Sequence, residues 1–149
     1  MTSLFSWLPF SRIGAWAEPT KSLGEQGEAA AAKFLKRARY RIVTTRLRKR
    51  YGEIDIIAVD YSGAVETVVF VEVKTRRRDE SDQPAEAVDQ ARQRRLTHAA
   101  LAFLKGHGLL EYPSRFDVVE VIWPENQKRP TIRHILNAFP AVGKGQMYS

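Results

Sequence analysis

The chain has no cysteine among its 149 residues, which excludes disulfide staples, cysteine-ligated zinc and a thiol nucleophile. Long hydrophobic runs are also missing. The longest apolar-leaning stretch, Leu4 to Ala17, is broken by Arg12 and falls short of the roughly 20 residues that a spanning helix requires. It lacks the basic start of a secretory signal, so neither a membrane span nor export is expected, and the cytoplasm is the default location. Histidine is scarce: His98, His107 and His134 stand far apart without ligand spacing and read as structural. Acid is in the minority, with 17 Asp and Glu against 24 Lys and Arg, and the resulting charge of +7 favours a polyanionic partner. Nucleic acid and an anionic membrane both fit that charge.

What is present suits one domain over residues 20–140, flanked by an aromatic N-terminal tail at 1–19 and a C-terminal tail at 141–149. Ser22 and Glu25 have the spacing of a capping box ahead of an alanine-rich helix, Gly27 to Ala38, with Glu28 at the edge of its apolar stripe. Three β-rich runs follow, Tyr40 to Arg46, Glu53 to Asp60 and Thr67 to Lys74, with a basic turn after the first; their short links imply an antiparallel meander. The second and third are apolar on both sides of their alternation, Ile54, Ile56 and Ala58 against Ile57 and Val59 in the second, as in strands covered on both faces. A helix beginning at Pro84 and ending at Gly106 and Gly108 leads to a fourth strand, Phe116 to Trp123, and a short fifth, Thr131 to Ile135. A strand, helix, strand crossover places the fourth strand parallel to the third. The expected fold is an α/β three-layer core of order α-β-β-β-α-β around a mixed sheet.

Charged side chains interrupt the two central strands, where burial is costly. Glu72 and Lys74 are two apart and share a face, and antiparallel pairing brings Asp55, at the start of the second strand, beside Glu72 at the end of the third. Two converging carboxylates repel unless protons, cations or a metal intervene. Mg²⁺ or Mn²⁺ answers that need, because a hard ion accepts one or two carboxylates with waters and phosphate oxygens. Lys74 would then orient water or stabilise charge on phosphorus oxygens. The plainer alternative is that Lys74 pairs with Glu72 or Asp55 at the strand end.

Gly52-Glu53-Ile54-Asp55-Ile56-Ile57-Ala58 followed by Val69-Phe70-Val71-Glu72-Val73-Lys74-Thr75-Arg76 resembles the PD-(D/E)xK pattern, and most closely the bacterial YraN family. Leu23-Gly24-Glu25-Gln26-Gly27-Glu28, Pro84-Ala85-Glu86-Ala87-Val88, Arg115-Phe116-Asp117-Val118-Val119 and Asn137-Ala138-Phe139 extend the similarity from Ser22 to Phe139. The resemblance implies a restriction-endonuclease-like fold related to archaeal Holliday-junction resolvases, with Glu28, Asp55, Glu72 and Lys74 as the site. Asp55, Glu72 and Glu28 would be the metal ligands and DNA the substrate. Similar sequences have Gly and Asn where this chain has Arg39 and Arg46, and the proline of the pattern's name is absent here.

Two basic clusters bracket the acids: Arg46, Arg48, Lys49 and Arg50 before Asp55, and Arg76, Arg77 and Arg78 after Lys74. Their expected role is to hold phosphates, with Arg92, Arg94 and Arg95 extending the track. No base-reading motif is evident. The leading reading is a metal-dependent endonuclease, with a homodimer expected if two linked strands are cut; the alternative is a non-catalytic nucleic-acid-binding protein. Glu53 reads first as a salt-bridge partner of Arg48 or Arg50, and Tyr51 as a packing aromatic at a turn.

Overall fold

A computed structural model describes residues 20–78 and 88–142. Helix α1 (Leu23–Arg37) begins on the expected capping box: Ser22 N–H donates to Glu25 Oε2 (2.9 Å) and Glu25 N–H to Ser22 Oγ (3.2 Å). It is followed by β1 (Tyr40–Lys49), β2 (Gly52–Asp60), β3 (Thr67–Arg76), α2 (Gln90–Gly106), β4 (Ser114–Ile122) and β5 (Thr131–Phe139). The five strands lie in chain order, antiparallel except for the parallel β3–β4 pair. The α2 crossover therefore connects the parallel pair, as the strand, helix, strand pattern requires.

The sheet is covered on both faces, which accounts for its doubly apolar central strands. Ala31 and Leu35 of α1 pack on Ile56, Ala58, Val69, Val71, Val119 and Val121. Leu96, Ala99, Ala100 and Leu104 of α2 pack on Ile54, Ile57, Phe70, Phe116 and Val118. Cutting Leu35 or Leu104 to alanine in so dry a layer typically costs about 2–5 kcal/mol. Among the described residues no helix is long and apolar enough to cross a membrane.

Four sequence expectations need correction. The second helix begins at Gln90, not Pro84: Asp89 caps it by accepting from Arg92 N–H (2.8 Å), and Val88 lies outside it. Pro84 to Ala87, like most of both tails (residues 1–19 and 143–149), falls outside the described residues. The supposed basic turn is largely strand, because β1 continues through Lys49 and only Arg50 and Tyr51 turn. The fifth strand is nine residues long, extending to Phe139 because Phe116 pairs and stacks with that ring. Finally, alternation in β2 breaks at Asp55, since Ile54 joins Ile57 under α2 while Ile56 lies under α1.

Candidate active site

Two glycines draw both helices onto one end of the sheet. A Cβ on Gly27 would stand 1.8 Å from Thr75 Oγ1, so only glycine lets α1 seat against the end of β3. Gly52 has φ +149° and its missing Cβ would meet Arg95 O and Ala99 Cβ at 3.1 Å, which seats α2 over the start of β2.

At that end the β2–β3 ladder stops. Its last pair is Ile56 with Val71, so Asp55 and Glu72 are next in register but unpaired by backbone. Asp55 Oδ2 instead accepts from Val73 N–H at 2.9 Å, replacing a ladder bond with a carboxylate. Asp55 is buried, and the Glu72 carboxyl lies close enough to feel its charge. Burial, then the charge of Asp55, pushes Glu72 above the ordinary glutamate range despite Arg92. Glu28, carried by α1, is likewise raised by burial and then by Asp55, and its Oε2 is buried without a hydrogen-bond partner. Glu28 on α1 and Glu72 on β3 thus both feel the charge of Asp55 on β2. Among the described residues, no three acidic or histidine side chains converge tightly enough to ligate one ion.

Cations of the chain itself cover these acids. Arg92 forks onto Glu72 with Nε and Nη2 at 3.2 and 3.1 Å from its two oxygens. Arg48 reaches Glu28 (3.6 Å), Asp55 (3.8 Å) and Glu53 (3.6 Å), which realises the salt-bridge reading of Glu53. Arg46 holds Glu25 at 2.9 Å and Glu28 at 3.5 Å. Arg46, Arg48 and Arg92, expected to face phosphate, are therefore committed to carboxylates here. Lys49, Arg50, Arg77 and Arg78 remain exposed at the rim, Arg77 donating to the Trp123 carbonyl at 3.3 Å.

Lys74 stands opposite Glu120 across the parallel β3–β4 pair. Burial and the neighbouring Arg76 lower its pKa, although Glu72, Glu120 and Asp89 oppose them. Glu120 was not singled out from the sequence. It is 2% exposed, 3.7 Å from Arg76 and 3.3 Å from Arg133, with an Oε2 that accepts no hydrogen bond. The available signal was an acid interrupting the apolar run Val118-Val119-Glu120-Val121-Ile122, the same signature that marks Glu72.

A three-layer α/β domain of the restriction-endonuclease-like arrangement, with Asp55, Glu72 and Lys74 at adjoining strand ends and Glu28 on the covering helix, defines the class of this protein. Within that class the chain belongs to the family described as "Uncharacterised protein family UPF0102", the YraN family, whose model matches residues 27–121. A UPF0102 protein of Rhodopirellula baltica is 42% identical over 144 residues, covering 96% of this chain and 84% of its own. UPF0102 proteins of Symbiobacterium thermophilum and Geotalea uraniireducens are 49% and 46% identical over 82% and 80% of this chain, and over 99% and 90% of theirs.

Proposed function

We propose that this protein is a metal-dependent phosphodiesterase that hydrolyses DNA, acting as an endonuclease on branched or otherwise structured substrates. The observation that carries this reading is the unpaired Asp55–Glu72 step at the end of the β2–β3 ladder, where a buried and a half-buried carboxylate approach one another beside Lys74. A fold optimised only for stability would place apolar side chains there.

The donor set fits a hard divalent ion. Asp55 and Glu72 offer neighbouring carboxylates, and the buried Oε2 of Glu28, which accepts no hydrogen bond and meets Arg46 only at 3.5 Å, marks further acceptor capacity on the α1 side. Mg²⁺ or Mn²⁺ held by Asp55 and Glu72 would polarise a phosphoryl oxygen and acidify a water. Lys74 donates to the non-bridging oxygens as charge accumulates on them, and its lowered pKa also suits it to exchange a proton with the attacking water. Glu28 orients that water or completes the ligand set once Arg46 and Arg48 turn to phosphate. In the overall step a water oxygen bonds to phosphorus as a P–O ester bond breaks, leaving a phosphate monoester and a hydroxyl end. Rim cations Lys49, Arg50, Arg77 and Arg78 hold flanking phosphates.

A binding-only protein is the competing reading, and Arg92 favours it, since its fork already neutralises Glu72 without metal. Linear, single-stranded and four-way-junction DNA incubated with Mg²⁺ or Mn²⁺ separate the two. Cleavage that needs metal and falls by about 10²-fold or more in Glu72→Ala and Lys74→Ala supports the enzyme. Binding without any Glu72-sensitive product supports the alternative.

A further inference from the structure

The cations nearest the acids are spent on ion pairs, so much of the chain's excess positive charge must lie elsewhere. A groove of about 560 Å³ on the opposite flank of α1, between that helix and the β4–β5 turn, collects five of them. Lys21, Lys33 and Arg37 line its α1 wall, and Lys128 and Arg129 its turn wall. Among the described residues no acidic side chain lines it and none of the five forms an ion pair. Its size lies within the range of about 300–1,000 Å³ usual for ligand clefts. Between the charged walls is an apolar floor containing Phe34, Trp123 and Ile132. The Trp123 indole is held in place, its Nε1 donating to Gln127 O at 3.0 Å.

The groove is joined to the candidate site through backbone. Trp123 N–H donates to Arg76 O at 2.7 Å and Arg77 donates to Trp123 O at 3.3 Å, so the groove begins two residues beyond Lys74. A chain of phosphates leaving Lys74 would meet Arg77 and then the groove.

We propose that this groove binds a single strand of nucleic acid, with phosphates on Lys21, Lys33, Arg37, Lys128 and Arg129 and a base against Trp123. Cations on two walls suit a backbone, and a recessed aromatic floor suits an unpaired base, which has a free π-face to stack. A duplex keeps its bases inside. An anionic membrane would need apolar side chains projecting outward, whereas those here lie below the cations. This inference rests on nucleic acid being the substrate class, but needs neither metal nor cleavage.

The test is fluorescence anisotropy of the full chain with short single-stranded DNA and RNA oligonucleotides in EDTA. Lys33→Glu/Arg129→Glu is compared with Lys36→Glu/Arg41→Glu, which makes the same charge change on exposed residues outside the groove. The groove variant is expected to bind about 10-fold or more weakly, with the slope of log K against log salt shallower by about 1.4, the loss of two single-strand phosphate contacts. Trp123→Leu, checked for folding by circular dichroism, should weaken oligonucleotide binding about 5-fold or more while leaving polyphosphate binding unchanged. Equal affinity and slope in both double variants would overturn the assignment. So would a groove variant that loses phosphatidylglycerol vesicles but keeps oligonucleotide, since that identifies a membrane surface. Cleavage can fail while this binding result holds, so the two readings fall separately.

Discussion

Two buried polar clusters share the same sheet and are built on opposite principles. In the first, Asp117, which stands opposite Val71 across the β3–β4 pair, is fully buried and fully satisfied: Arg115 forks onto it at 2.9 and 3.2 Å, His134 Nε2 lies at 2.8 Å and Asn137 N–H donates at 2.9 Å. Arg115 also reaches Asp60 and the Tyr40 hydroxyl, both at 2.9 Å. Burial alone would raise the Asp117 carboxyl, but hydrogen bonds from His134 and Arg115 outweigh it and hold the pKa below the ordinary aspartate range. In the second, Glu72 and Glu28 are both raised by burial and by the charge of Asp55, and one buried oxygen each of Glu28 and Glu120 accepts no hydrogen bond and meets only an arginine, at 3.5 and 3.3 Å. One cluster is complete without a ligand. The other has acceptor capacity to spare, which is the physical mark separating a structural network from a reactive site.

Breaking the complete cluster should cost most. Asp117→Ala strands Arg115 and His134 and is expected to lower stability by about 3–5 kcal/mol in urea unfolding. Because the folded pKa of Asp117 is depressed, its contribution is present above the unfolded aspartate range and is lost as pH falls through the folded value. Wild-type stability should therefore fall on acidification below that range, and the variant's should fall less. A variant as stable as wild type would mean that this network adds nothing to the stability of the fold.

The acidic end should respond to cations instead. Mn²⁺ at about 100 times its dissociation constant should stabilise the fold by about 2.7 kcal/mol, read as a rise in Tm that Asp55→Asn abolishes. Arg92→Gln removes the competing fork on Glu72 and should tighten Mn²⁺ binding several-fold in calorimetry without DNA. If Mn²⁺ shifts neither Tm nor heat in Arg92→Gln, the acids are structural and both clusters belong to one kind.

The fold and the heart of this site were legible because strands have a period of two and antiparallel neighbours have complementary register. Glu72-x-Lys74 sets a shared face, and the short β2–β3 link places Asp55 opposite Glu72. What was not legible depends on tertiary approach. Arg92 meets Glu72 only because Gly52 lets α2 descend, and Ile54 changes face because the ladder opens at Asp55, which no local pattern announces. The start of α2 at Gln90 turns on Asp89 as its N-cap, a signal as short and local as the proline that suggested an earlier start. The unpaired basic groove required knowing which of 24 cations already had partners.

Two departures from the family pattern test the same contrast on a smaller scale. Arg39 and Arg46, set against Gly and Asn in the pattern the sequence resembles, have φ of 69° and 53°. A left-handed conformation costs a residue bearing a Cβ about 1–2 kcal/mol, and glycine far less. Arg39 follows the α1 C-cap, Ala38, at the position where helices commonly end in glycine, and its side chain makes no ion pair among the described residues. Arg39→Gly should therefore stabilise the protein by about 1 kcal/mol, less the extra entropy of the unfolded chain. Arg46→Asn relieves similar strain but gives up Glu25 and Glu28, leaving the acidic end with less neutralising charge. Its net change in thermal unfolding should be near zero without metal and positive with Mn²⁺, which takes over the lost charge. Equal stabilisation by both substitutions in metal-free buffer would show that Arg46 was not restraining the acids at all.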